Sequence, residues 1–243
     1  RFGLEVVGTT KSIAEAILIK TSLAILEEEG YTDLVVEVNS LGDKESSLRY
    51  VREVTLFFKK HVGMMKPSHR EMLKENPVNL VICKDEVMIE LCQSAPKPMN
   101  FLSEESRRHF KEVLEYLEHL EIPYEINNTL VCRHSPSGTV FEIKERESGR
   151  VLAAGLRYDG ITKRLGFRKE LGAAGVNLSY MDSGKKSPRG TIGKKPKFYF
   201  AQLGFEAKLR SLEVVEILRK ARVPMIQALA RDKMGSQITN AEN

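Results

Sequence analysis

The sequence lacks the marks of several protein classes, and each absence narrows what the chain can be. It has no run of about 18 apolar residues, which excludes a helical membrane span. No signal peptide is visible. Cysteine is scarce. Cys83, Cys92 and Cys132 show neither CxxC spacing nor a disulfide framework, so a reduced, cytoplasmic protein without structural metal is expected. No Walker loop, HExxH, GxSxG or metal-ligand cluster occurs, so spacing alone assigns no chemistry. The five histidines (His61, His69, His109, His119 and His134) are scattered and read as mostly surface residues. Internal repeats are also lacking.

What is present fits an ordinary globular protein. At 243 residues the chain is long enough for one large domain and part of a second. Hydrophobic residues make up 42% and charged residues 29%. The net charge of +5 permits a polyanionic partner such as RNA without demanding one.

Periodicity organises the chain. Residues 1–8 read as a strand (Phe2, Leu4 and Val6 against Glu5), so the chain is expected to begin within folded structure. Ser12 to Glu29 has helical spacing, with Gly30 where a C-terminal cap belongs. Asp33 to Ser40 alternates as a strand, and Gly42-Asp43 is a turn before a helical stretch to about Val62. Ser68 to Glu75 is helical and stops at Asn76-Pro77. Ser103 to Leu120 is the clearest helix, with Ser103 as N-cap and Glu104 and Glu105 at the positive end of its dipole. Thr139 to Arg146 and Arg150 to Leu156 flank Glu147-Ser148-Gly149, a hairpin turn.

Strands and helices are grouped rather than alternating over 1–182, which predicts an α+β fold with an antiparallel sheet. Residues 183–197, with Lys185, Lys186, Arg189, Lys194, Lys195 and Lys197, read as a linker, solvated or touching RNA. Residues 198–243 follow as a βαβα start: strand Phe198 to Leu203, helix Glu206 to Ala221, strand Val223 to Ala230, and a helix from Asp232. So short a parallel unit cannot bury both sheet faces, so the chain is expected to be cut or completed there.

Several strings, in order, resemble class II histidyl-tRNA synthetases (histidine–tRNA ligases). Arg1 to Gly8 resembles the strand closing motif 2, and Val36 to Gly42 the strand and turn that follow. Asn76-Pro77 with Cys83-Lys84 resembles the family's NPLRxLDCK string. Ala95-Pro96, and Leu102 to Ser106 with His109-Phe110, continue in register. Gly138 to Glu142 and Gly155 to Gly160 match the two histidine-specific motifs in part, and Gln202-Leu203-Gly204 resembles the start of the anticodon-binding domain. The resemblance implies an incomplete antiparallel-sheet catalytic core over 1–182 with a helical insertion at about 43–122. The linker 183–197 and a partial α/β anticodon-binding domain over 198–243 would follow.

It also implies a chemistry: ATP-dependent activation of histidine, with Mg2+, and transfer to tRNA(His), in a homodimer when full length. Attack of a carboxylate on the α-phosphate needs fixed cations, and the amino-acid pocket needs an acceptor for the ammonium. By resemblance, Glu5, Tyr158 and Arg1 contact histidine, although Arg1 stands where the family usually has glutamine. Gly155 and Arg157 fall at the ATP site and Arg133 at the catalytic arginine. From the residues alone, Glu5 reads rather as a solvated strand residue, Tyr158 as an aromatic packed beside a turn, and Arg157 as a partner of Asp159.

Departures bear on activity. Leu130 to Glu142 is one residue shorter than the family's LVRGLDYYxxTVFE and lacks both tyrosines, which shifts Arg133 in register. Leu156 replaces the second glycine of GGRYDG. Asp182 stands where motif 3 ends in arginine, and Lys185 and Lys186 do not reproduce its planar bidentate donor. The motif 2 arginine would precede Arg1. The chain alone is therefore expected to be inactive, and the alternative is a non-catalytic paralogue that binds histidine or RNA.

Overall fold

The computed structural model describes residues 1–131, 138–168, 170–181, 196, 198–228 and 232–242. Arg133, His134, Cys132, Asp182 and nearly all of the 183–197 linker lie outside them. The described residues form β1 (Phe2–Val7), α1 (Ile13–Glu28), β2 (Leu34–Ser40), α2 (Lys44–Lys60), α3 (Pro67–Glu75), α4 (Val78–Val81), α5 (Glu86–Gln93) and α6 (Glu104–His119). Then come β3 (Tyr124–Ile126), β4 (Thr139–Glu145), β5 (Val151–Arg157), α7 (Ile161–Arg164), β6 (Ala173–Leu178), β7 (Phe198–Phe200), α8 (Gly204–Lys220), β8 (Met225–Gln227) and α9 (Met234–Glu242).

The larger sheet has the order β1-β6-β5-β4-β2-β3 and is antiparallel except where β3 runs parallel to β2. Its β4–β5 hairpin turns at Gly149, whose φ of 64° only glycine adopts freely. Alternation sends Val36, Val38, Phe141, Ile143, Ala174 and Val176 to one face, where α1 and α6 cover them. Helix α1 is apolar on most sides because the sheet, α6 and α8 all contact it; Ile13, Ala14, Ala16 and Ile19 are fully buried. It ends as expected at Gly30, where the Gly30 and Tyr31 N–H groups donate to the carbonyls of Glu27 and Leu26.

Helices α2 to α5 enclose a second core around Tyr50, Phe58, Leu80 and Met88. One carboxylate joins two of the helix starts. Asp43 caps α2, accepting the Ser46 N–H at 2.8 Å, and also accepts the hydroxyls of Ser103 and Ser106 at the start of α6. Ser103 caps α6 as its sequence predicts.

Residues 198–242 follow the expected βαβα order, with strands shortened to three residues each because β7 and β8 pair only with one another among the described residues. Gln202 and Gln237 exchange hydrogen bonds across this unit, at 3.1 and 2.6 Å. Leu212, Phe205 and Leu209 of α8 pack on Ile13, Ala16 and Tyr116. No described helix is long and apolar enough to cross a membrane.

The expectation of surface histidines needs correction: His69 is buried and His61, His109 and His119 are partly buried. His69, His109 and His119 lie beside Cys83, Glu15 and Glu213 respectively.

Burial works against a charged Asp43, but the bonds from Ser103, Ser46 and Ser106 outweigh it and hold its carboxyl at about 2, below the ordinary 3.8. The capping contribution is therefore present above pH 3.8 and lost as pH falls through about 2. Asp43→Ala should lower stability by about 1–2 kcal/mol, read as a lower urea midpoint at unchanged m, and should flatten that acid limb.

Candidate functional site on the open face of the sheet

Among the described residues no helix covers the β1–β6–β5 end of the second face of the sheet, and small residues there leave room. Glu5 stands opposite Gly175, and Gly175 opposite Leu156. A Cβ at Gly175 would lie 2.1 Å from Glu5 Oε2, so only glycine lets the carboxylate lie flat across β6. The hydroxyl of Tyr158, just beyond β5, donates to that same Glu5 oxygen. Partial removal from water pushes the Glu5 carboxyl up from its ordinary value. Glu5 and Tyr158 thus meet across 153 positions of sequence. Arg1 lies at the end of this ladder, exposed, and donates through Nε to Ser179 at 3.2 Å rather than to the Glu5–Tyr158 pair.

Tyr158 is held from behind. Arg157, one residue earlier, points to the covered face and is buried. Its Nε donates to Glu15 Oε1 at 2.7 Å and one terminal nitrogen to Glu15 Oε2. Further bonds reach the carbonyls of Thr9 (3.2 Å) and Lys11 (3.0 Å) and the Asp159 carboxylate (3.1 Å). A guanidinium has five N–H groups, and all five are used. Glu15 is fully buried in α1 and also faces His109 Nε2 of α6 at 2.7 Å. Burial opposes its charge, yet Arg157 and His109 outweigh that and hold its carboxyl below the ordinary 4.5. Asp159 and Tyr158 are tied to the start of β6 by the Ala173 N–H and C=O, at 2.7 and 2.9 Å.

Two expectations take a different physical form here. Arg157, placed at the ATP site by resemblance, has no N–H left for a phosphate while Glu15 holds it. Its pairing with Asp159 is present, within a larger buried network. Gly155, placed at the ATP site by resemblance, packs against the ring of Phe141 on the covered face: a Cβ there would lie 2.2 Å from its Cζ. Arg133, the expected catalytic arginine, is outside the described residues.

Sequence reasoning missed Glu15, whose one signal is a carboxylate set among the apolar positions of α1. It also missed a second cluster. Glu37 and Glu142 stand directly opposite on β2 and β4, an arrangement of like charges that needs a cation. Lys144 supplies it, at 2.6 Å from Glu37 and 3.1 Å from Glu142, and Asn127 Nδ2 donates to Glu37 at 2.6 Å. Burial would raise the Glu37 carboxyl, but these bonds hold it below its ordinary value. The cluster lines a cleft of about 1020 Å³ between the sheet and the α4–α5 region.

A divalent cation is not well served at the open face. Glu5 is a single carboxylate already bonded to Tyr158, and among the described residues no group of three His, Cys, Asp or Glu side chains could hold a metal ion. The described residues do not by themselves fit Mg2+.

This fold is shared with a solved histidyl-tRNA synthetase. The apo histidyl-tRNA synthetase of S. aureus matches with a TM-score of 0.55, covering 99% of this chain and 61% of that one. At 20% identity the match shows a shared fold. No family model matches the chain. Sequence comparison carries the relationship. The histidine–tRNA ligase of Fervidobacterium nodosum is 30% identical over 250 residues, 99% of this chain and 58% of the relative. That of Halothermothrix orenii is 29% identical over 229 residues, 92% of this chain and 55% of the relative. Over nearly its whole length the chain is similar to histidine–tRNA ligases. It spans a little over half the length of the relatives it matches.

The Glu15 contribution is present above the ordinary carboxylate value of 4.5 and lost as pH falls through its depressed one. Glu15→Gln leaves the buried Arg157 with only the more exposed Asp159 as counter-charge and should destabilise by about 3 kcal/mol at neutral pH. Urea titrations across pH 3–7 should also show a shallower acid dependence than the unsubstituted chain.

Proposed function

We propose that this chain is the histidine-recognising part of a histidine–tRNA ligase-like protein, with Glu5 and Tyr158 as the amino-acid contacts. The meeting of these two residues over Gly175 carries the reading, because both fall on family positions and they converge from the two strands that flank β6. An exposed carboxylate, slightly removed from water, is a suitable partner for a substrate cation, and the Tyr158 hydroxyl fixes the oxygen that receives it. Arg1 flanks the site at its Ser179 end.

On this reading residues 1–182 form the catalytic core, 43–122 its helical insertion and 198–243 the start of the anticodon-binding domain. The family reaction joins histidine to tRNA(His) at the expense of ATP, with Mg2+ neutralising phosphate charge. The described residues of this chain supply recognition and not the phosphate cations. Arg157 is locked to Glu15, and Asp182 replaces the motif 3 arginine in the sequence. The chain therefore binds histidine without adenylating it. A second reading, a non-catalytic paralogue that binds histidine or RNA, is favoured by those same two residues. It differs in what the full gene product does.

Titration calorimetry should detect histidine binding by this chain, and Glu5→Ala should weaken it at least about tenfold. Unchanged affinity would remove Glu5 from the site. Histidine-dependent exchange of pyrophosphate into ATP should be absent for this chain. Exchange by the full gene product selects the ligase reading, and none selects the paralogue.

A further inference from the structure

Two cysteines line the large cleft, and their surroundings differ in a way that the synthetase reading does not use. Cys92, in α5, donates its thiol to the Leu80 carbonyl at 3.6 Å, and burial pushes it up to about 11. Such a thiol is inert near neutral pH. Cys83 follows α4 on the wall of the same cleft and is partly exposed. Its Sγ lies 3.9 Å from Nε2 of His69 in α3.

His69 is the second, independent observation. It is 4% exposed, and its Nδ1 has no hydrogen-bond partner among the described residues. A buried imidazole placed only for packing would have both nitrogens satisfied. Among the described residues its one side-chain hydrogen bond is with the thiol, and the Asp85 carboxylate lies within electrostatic reach. Sulfur and base are adjacent, and the cleft of about 1020 Å³ gives a small molecule access to the sulfur.

The geometry points to Cys83 as a thiol–disulfide exchange site, with His69 as its base and a small disulfide in the cleft as its reaction partner. The imidazole takes the thiol proton, and the Cys83 sulfur attacks one sulfur of the disulfide R–S–S–R. The S–S bond breaks, a Cys83–S–S–R bond forms, and RS− leaves and is protonated to RSH. One thiol is oxidised and one disulfide sulfur is reduced, so no further oxidant is needed. The adduct stands in the cleft between α4–α5 and the Glu37–Lys144 edge of the sheet. The inference does not depend on the histidine site.

The test is incubation of the folded chain with oxidised glutathione, an acid quench, and peptide mapping of each mixed disulfide with time. Cys83 should react at least about tenfold faster than Cys92, as expected of a thiol beside a base against a similarly part-exposed one that faces a backbone carbonyl instead. His69→Gln should slow Cys83 to near the Cys92 rate and leave Cys92 unchanged. Equal rates in the unsubstituted chain, or a Cys83 rate indifferent to His69→Gln, would overturn the assignment. Because His69→Gln removes a buried side chain and can unfold α3, a second measurement stands beside it. The Cys83-to-Cys92 rate ratio of the unsubstituted chain should collapse towards one in denaturing urea. A ratio that persists in urea belongs to local sequence and overturns the proposal.

Discussion

The buried Arg157–Glu15 pair is the interaction on which the rest of this structure depends. It joins the sheet to the helix that covers it, and its partners come from four separate places. Glu15 and His109 lie in α1 and α6, the Thr9 and Lys11 carbonyls in the β1–α1 connection, and Asp159 in the turn after β5. Removing two charges from water is expensive, and attraction alone rarely repays it. It is repaid here because every N–H of the guanidinium has an acceptor. A fully satisfied polar network of this kind specifies one arrangement, since any slip leaves a buried charge unpaired.

Strand alternation carries this constraint through the sheet. Arg157 faces the helices, so the next residue, Tyr158, faces the open side, where Glu5 and Gly175 wait. The covered face therefore sets the position of a side chain on the uncovered one. Helix α1 serves both halves of the chain: it brings Glu15 to Arg157, and its Ile13 and Ala16 receive α8. Lys11, just ahead of it, pairs with Asp232 at 3.0 Å.

Much of this was legible in the sequence where the signal is local. The strand at the start, the Gly30 and Ser103 caps and the Gly149 hairpin follow from spacing and turn chemistry, and all occur. Strand β6 did not announce itself, because AAGVNL has neither alternation nor bulky β-formers. Its small residues are there so that Glu5 can lie across Gly175. Helices α4 and α5 are too short to show a period. Glu15 was invisible for a different reason: its partner is 142 positions away, and one acid in an apolar helix names no partner. The family resemblance brought Glu5 and Tyr158 forward, and the geometry then joined them. It could not show that Arg157 is bonded to Glu15.

On the proposed reading, the buried Arg157–Glu15 lock sets the positions of the open-face side chains that would contact histidine. A double-mutant cycle on histidine affinity, using Glu15→Gln, Tyr158→Phe and both together, tests it most directly. If the lock acts through Tyr158, the two losses will be non-additive, with a coupling of about 0.5–3 kcal/mol. Additive losses, or histidine affinity untouched by Glu15→Gln, would contradict the claim.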